Sequence, residues 1–199
     1  ASCLVGSEMC IRDRPDFKQF NNLEYDLYAM NGVLLDSRWK ISLTNLKDNE
    51  LIHEWTLEES DYLNSGRYFS NAQPRQPILM KDNTLLFFMG ESKNLYLIDK
   101  NSKVIWKNND LLYHHSINPD HEGNVWICSR EQVEYKELNT GYWDNSITKI
   151  DKNTGEIIYS KSVTEIFDEK NVLSLIHGMG NTISLKGTDP QHLNDIEPV

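Results

Sequence analysis

Apolar and polar positions alternate along most of the chain with the two-residue period of a half-buried strand, and helical periodicity is nearly absent. The clearest stretch is Asn94-Leu95-Tyr96-Leu97-Ile98-Asp99-Lys100-Asn101-Ser102-Lys103-Val104-Ile105-Trp106. It aligns with Ser146-Ile147-Thr148-Lys149-Ile150-Asp151-Lys152-Asn153-Thr154-Gly155-Glu156-Ile157-Ile158-Tyr159 and, more weakly, with the run from Ile41 to Trp55. Each copy predicts strand, tight turn, strand: alternating apolar positions, a turn rich in Asp, Asn and Gly, then a β-branched pair ending on an aromatic residue. The intervening stretches predict further hairpins. Gln76 to Met80 turns at Lys81-Asp82-Asn83 into Thr84 to Phe88, and His115-Ser116-Ile117 turns through Pro119 to Asn124 into Val125-Trp126-Ile127-Cys128-Ser129. A third such pattern begins at Met179, and 163–170 reads as one short turn of helix.

The repeat has a length. Lys47, Lys100 and Lys152 occupy equivalent positions and lie 53 and 52 residues apart, within the range of propeller blades. Two hairpins per period give the four strands of one blade. The expected fold is therefore all-β: a partial β-propeller of about three four-stranded blades over 15–199, against a minimum of four for closure. Hairpin turns are expected at 100–103 and 152–155. Tryptophan and tyrosine at the ends of the repeated strands are expected to pack between blades.

Composition narrows the classes. Twenty Lys and Arg against thirty Asp and Glu leave a net charge of −10, the wrong sign for a nucleic-acid binder, whose phosphate contacts need a basic face. No apolar run approaches the roughly 20 residues of a membrane span. Twenty asparagines suit a turn-rich fold, since Asn tolerates the left-handed backbone that tight turns need. Residues 1–14, ASCLVGSEMCIRDR, follow neither strand nor helix period and hold two of the three cysteines. Within them, Met9-Cys10-Ile11-Arg12-Asp13 is what the adapter of a transposase-made sequencing library would encode, so residues 1–14 are expected to be a non-native tail that packs against nothing. The chain is expected to be a piece of a longer protein, truncated at both ends. Cys128, inside an apolar run, is expected to be a buried structural thiol.

Candidate chemistry rests on histidine. The six are His53, His114, His115, His121, His177 and His192, with no HExxH, CxxC, GxSxG, P-loop or GxGxxG pattern, so neither a metal nor a cofactor is expected. The first strand of each propeller blade lines the central channel. His114-His115 starts such a strand, and His192 starts the next comparable segment, so imidazoles from consecutive blades could meet at one channel mouth.

The order of these elements resembles the bacterial arylsulfotransferase family. The segment His114-His115-Ser116-Ile117-Asn118-Pro119-Asp120-His121-Glu122-Gly123-Asn124-Val125-Trp126, the Ile-Asp-x-x-Thr-Gly core around Asp151 and Gly155, and His192-Leu193-Asn194-Asp195 follow the family's HHD-like, GN-aromatic, ID-x-x-TG and H-x-N elements over about 77–199. The resemblance implies a six-bladed propeller passing a sulfuryl group between phenols through a sulfated histidine. By motif order it implies that His115 and His192 are catalytic channel histidines, with His114 and Asn194 beside them as candidate substrate contacts. Arg130 is a further candidate only because Ser129-Arg130 is superficially similar to the family's S-R motif, although it follows the wrong histidine. Ser116 stands where the family often has Asp. The family's arginine and nucleophilic histidine come later in its motif order, past Val199, so this chain alone is expected to be inactive. An aryl sulfate and a phenol are the implied partners and the periplasm or secretion the implied location. The competing classes are a non-catalytic propeller that binds a protein or carbohydrate and a quinone-dependent dehydrogenase, which lacks support in any repeated tryptophan motif.

Overall fold

The computed structural model describes residues 27–36, 38–58, 73–90, 93–135, 140–179 and 189–198. Residues 1–14 and most of the strand pattern beginning at Met179 lie outside the described residues. The chain divides into two compact units, Ala1–Thr56 and Leu57–Val199. The architecture is all-β, built of antiparallel meanders of the partial-propeller kind.

In the first unit, β1 (Tyr28–Leu35), β2 (Arg38–Asn45) and β3 (Glu50–Leu57) form one sheet in sequence order. Trp39, Ile41 and Asn45 are buried at alternating positions of β2, as the two-residue period requires. Asn49 closes the β2–β3 turn at φ +60°, a conformation that Asn accepts more readily than most residues. Lys40 and Glu54 pair across the strands at 2.7 Å.

The second unit holds two four-stranded sheets. One is β4 (Pro74–Leu79), β5 (Leu85–Met89), β6 (Leu95–Ile98) and β7 (Val104–Asn108). The other is β8 (Leu112–Pro119), β9 (Val125–Tyr135), β10 (Thr140–Ile150) and β11 (Ile157–Ser162). Their turns share one device, an aspartate carboxylate that accepts from the main-chain N–H groups following it. Asp99 accepts from Asn101 and Lys103, Asp120 from Glu122 and Asn124, and Asp151 from Asn153 and Thr154, all at 2.8–3.0 Å. A left-handed residue then closes each turn: Ser102, Gly123 and Gly155 at φ +67°, +84° and +74°. These turns fall where the repeat places them.

The sheets pack through one core in which Leu86, Phe88, Leu97 and Trp106 meet Tyr113, Ile117, Val125 and Ile127. Trp106 also ties one blade to the next turn. Its indole Nε1 donates to the Lys152 carbonyl at 2.9 Å, and Asn108 donates to the Gly155 carbonyl at 2.8 Å. A Cβ on Gly155 would lie 2.5 Å from the Trp106 ring, so glycine is required here for close approach as well as for φ.

β9 and β10 run longer than the alternation suggests. They stay paired from Val125 opposite Ile150 out to Tyr135 opposite Thr140, because the partner strand supplies the hydrogen bonds that the polar Glu131–Gln132 stretch does not advertise. Beyond β11 come α1 (Val163–Glu169) and α2 (Ser174–Met179). Ser162 caps α1 in a reciprocal capping box with Glu165. Tyr142 of β10 and Ile176 of α2 are buried together, with Val133 and Phe167 packed against them. Cys128 is fully buried, and burial raises its thiol pKa. Among the described residues no helix is long and apolar enough to cross a membrane.

Candidate active site

The candidate site is built on β8, an edge strand that lies against β4 and β5. Regular alternation would send the side chains of His114 and His115 to opposite faces. It does not hold here. Opposite β9, the register runs from His114↔Cys128 to Ile117↔Ile127, so His115 and Ser116 form a bulge, and His115 adopts φ +56°. The bulge turns the His115 ring alongside that of His114, with centroids 5.0 Å apart at 80°.

His192 arrives from a different segment, 189–196, which is pegged along β8, β9 and β10. Asp189 accepts from Arg130 Nη1 at 3.1 Å and also from Asn145 Nδ2. Gln191 donates to Thr164 Oγ1 at 3.0 Å, and the Leu193 main chain donates to Asn145 Oδ1 at 3.3 Å. Asn118 donates to Asp195 at 2.8 Å and to the Ile196 carbonyl at 2.9 Å, while Ile196 N–H donates to Ser116 Oγ at 3.3 Å. Between these pegs His192 takes φ +39°, and its ring lies 5.0 Å from that of His115 at 70°. Three imidazoles thus stand in a row, His114–His115–His192, contributed by two chain segments that are 77 residues apart from His115 to His192.

Their electrostatic settings differ. His114 is 7% exposed, and neither of its ring nitrogens makes a hydrogen bond. Burial pushes its pKa down to about 4, reinforced by Arg130 and His115; the nearby Ser129 main chain, outside hydrogen-bonding geometry, and Asp189 offset part of this. His114 is therefore neutral throughout the physiological range. His115 is exposed, and its pKa is lowered by its partial desolvation, then by His192 and Arg130. Both rings favour the uncharged form that can act as base or nucleophile near neutral pH.

Asp189 is the group the sequence did not single out. Besides Arg130 and Asn145, it takes the His192 main-chain N–H on Oδ1 and the His192 Nδ1 on Oδ2, each at 3.1 Å. Burial pushes its pKa up, but Asn145, the His192 main chain, His192 and Arg130 outweigh this and hold the carboxyl below its ordinary value. The only sequence signal was an aspartate three residues before a histidine. Arg130, a candidate substrate contact from its superficial S-R likeness, spends Nη1 on Asp189 and stacks over Trp143 at 4.9 Å. Asn194 is exposed on the same segment, without a hydrogen bond among the described residues. A buried carboxyl, Asp144, accepts from Ser162 Oγ at 2.6 Å and Thr164 Oγ1 at 2.9 Å. Burial raises its pKa nonetheless. Gln191 bonds to this Asp144–Thr164 pair, so the network steadies the segment that carries His192. Among the described residues no cluster of His, Cys, Asp or Glu is placed to hold a metal ion.

None of the curated proteins matches the chain. Among solved structures, a protein of unknown function from Bacteroides caccae matches with 13% identity and a TM-score of 0.46, over 69% of this chain and 47% of that one. The chain thus spans about half the length of that protein. The family comparison reaches further. The profile of the arylsulfotransferase (ASST) family matches residues 76–199, a stretch that takes in both four-stranded sheets almost whole and all three aligned histidines. As that match covers more than half of its length, the chain belongs to the arylsulfotransferase family.

Proposed function

We propose that this chain supplies part of the channel of an enzyme that moves a sulfuryl group from a phenolic sulfate ester to a phenol through a sulfo-histidine intermediate. The observation that carries the reading is the convergence of His115 and His192, with rings 5.0 Å apart on adjoining segments. The two rings touch edge to face, so one group bound beside them would meet both. Neutral imidazole is a competent nucleophile and proton acceptor near pH 7. An N-linked sulfuryl group is labile enough to pass on. Cationic donors suit the sulfuryl oxygens, which gain charge during transfer.

In the order of the family's motifs, the arginine and nucleophilic histidine follow the H-x-N element. Transfer is therefore proposed for a protein that carries those later motifs, and not for these 199 residues alone. His114 would shape the base of the site, while Asn194 and Arg130 would lie at its margin. The periplasm or secretion is the proposed location, on family grounds.

The test is to mix the protein bearing the later motifs with an aryl sulfate and no acceptor. A burst of about one phenol per enzyme, with one sulfuryl group found on a histidine by mass spectrometry, supports the reading. Phenol release with no burst and no adduct contradicts the covalent intermediate.

A further inference from the structure

We propose that Asp189 fixes His192 as its Nδ1–H tautomer, which makes Nε2 the proton acceptor for the incoming phenol. The inference rests on the sulfuryl-transfer reading and assigns His192 a task within it. The geometry is a carboxylate with four donors. Oδ2 receives His192 Nδ1 at 3.1 Å and Arg130 Nη1 at 3.1 Å; Oδ1 receives the His192 main-chain N–H at 3.1 Å and the Asn145 amide. An ionised carboxylate can only accept. A neutral His192 satisfying this bond must therefore carry its proton on Nδ1, and the other nitrogen keeps its lone pair. The arrangement needs Asp189 to stay ionised. Arg130 and Asn145 see to that, and Trp143 holds the Arg130 guanidinium from the other side at 4.9 Å.

The consequence for chemistry follows from the proton count. A histidine that merely held a sulfuryl oxygen would need an N–H at Nε2, and neutral His192 has none there. It can instead take the acceptor's phenolic proton: the O–H bond breaks, an Nε2–H bond forms, the phenolate oxygen bonds to sulfur, and the N–S bond of the sulfo-histidine breaks to free that imidazole. The imidazolium so formed faces the Asp189 carboxylate. It gives that proton to the phenolate of the next donor molecule as the donor's S–O bond breaks and a new N–S bond forms on the nucleophilic histidine, and His192 is neutral again for the next acceptor. Asp189 touches neither substrate in this scheme. It is a positioning residue that acts through His192.

The test reads the tautomer directly. Histidine-selective 15N NMR of this chain, at alkaline pH where imidazoles are neutral, should show His192 Nδ1 protonated and Nε2 bare. In Asp189→Ala the Nε2–H form, which free imidazole side chains prefer, should dominate. In Asp189→Asn, which keeps the shape and loses the charge, the Nδ1–H share should fall relative to wild type. Unchanged amide signals of Leu193 and Ile196 in Asp189→Asn would show that the segment is still pegged. A wild-type His192 protonated on Nε2 alone overturns the proposal, as does a tautomer left unchanged in Asp189→Ala. Neither readout needs turnover, so failure of sulfuryl transfer in the longer protein would leave the tautomer result standing and would count against the parent reading alone.

Discussion

The buried, unpartnered His114 makes stability depend on pH in a predictable sense. Its pKa falls from an ordinary value near 6.5 in the unfolded chain to about 4 in the folded one. Between these values the unfolded chain binds the extra proton and the folded chain does not, so stability is retained at high pH and lost as pH falls through 6.5 towards 4. Integrating the linkage gives a loss of about 2 kcal/mol at pH 5, approaching about 3 kcal/mol below pH 4. Little solvent screening reduces this, since the side chain is 7% exposed. Asp144 works in the opposite direction, because burial raises its pKa, so wild type alone cannot isolate the histidine. The perturbation is His114→Leu, which removes the titration and the two unsatisfied nitrogens together. Urea unfolding of both proteins at pH 7.5 and pH 5 gives a double difference in which Asp144 and the other groups that do not interact with His114 cancel. The variant should gain about 2 kcal/mol relative to wild type on going from pH 7.5 to pH 5. An equal gap at both pH values would refute the assignment of His114 as a neutral, buried base.

Three further outcomes follow from the packing and capping. Gly155→Ala puts a Cβ 2.5 Å from the Trp106 ring at φ +74° and should cost about 2–4 kcal/mol by chemical denaturation, through left-handed strain plus overpacking. Trp106→Phe keeps the ring but loses the indole bond to the Lys152 carbonyl; a cost of about 1 kcal/mol is expected in the same assay. Ser162→Ala removes the α1 cap and one donor to buried Asp144; denaturation should show a loss of about 1–2 kcal/mol, and a value near zero would mean that the cap is not formed in solution.

What was legible in the sequence is what local chemistry decides. The turns at 100–103 and 152–155 were readable because Asp-Lys-Asn followed by Ser or Gly supplies both the carboxylate acceptor and the left-handed residue, and the structure uses both. Trp106 between blades was readable for a similar reason, since an aromatic at a repeated strand end has a blade neighbour to pack on. The bulge at His115 was not. Alternation would place His114 and His115 on opposite faces, and only the register against β9 reveals that two extra residues are inserted. Asp189, Asn145 and Asp144 were invisible because their roles come from partners 59, 44 and 20 residues away or so in sequence. Polar residues in such long-range networks carry no period. The same holds for the outer half of β9, where Glu131 and Gln132 extend the strand past its apolar run by pairing with β10.

The central claim is that His115 and His192 serve one reacting sulfuryl group. The direct measurement is the rate of transfer from an aryl sulfate to a phenol by the protein that carries the later family motifs, compared among wild type, His115→Ala and His192→Ala, each shown to be folded. The account predicts that each substitution lowers kcat/KM by at least about 100-fold, with the double variant little worse than either single one, as for residues acting as a unit. Full retained activity in His192→Ala would contradict it.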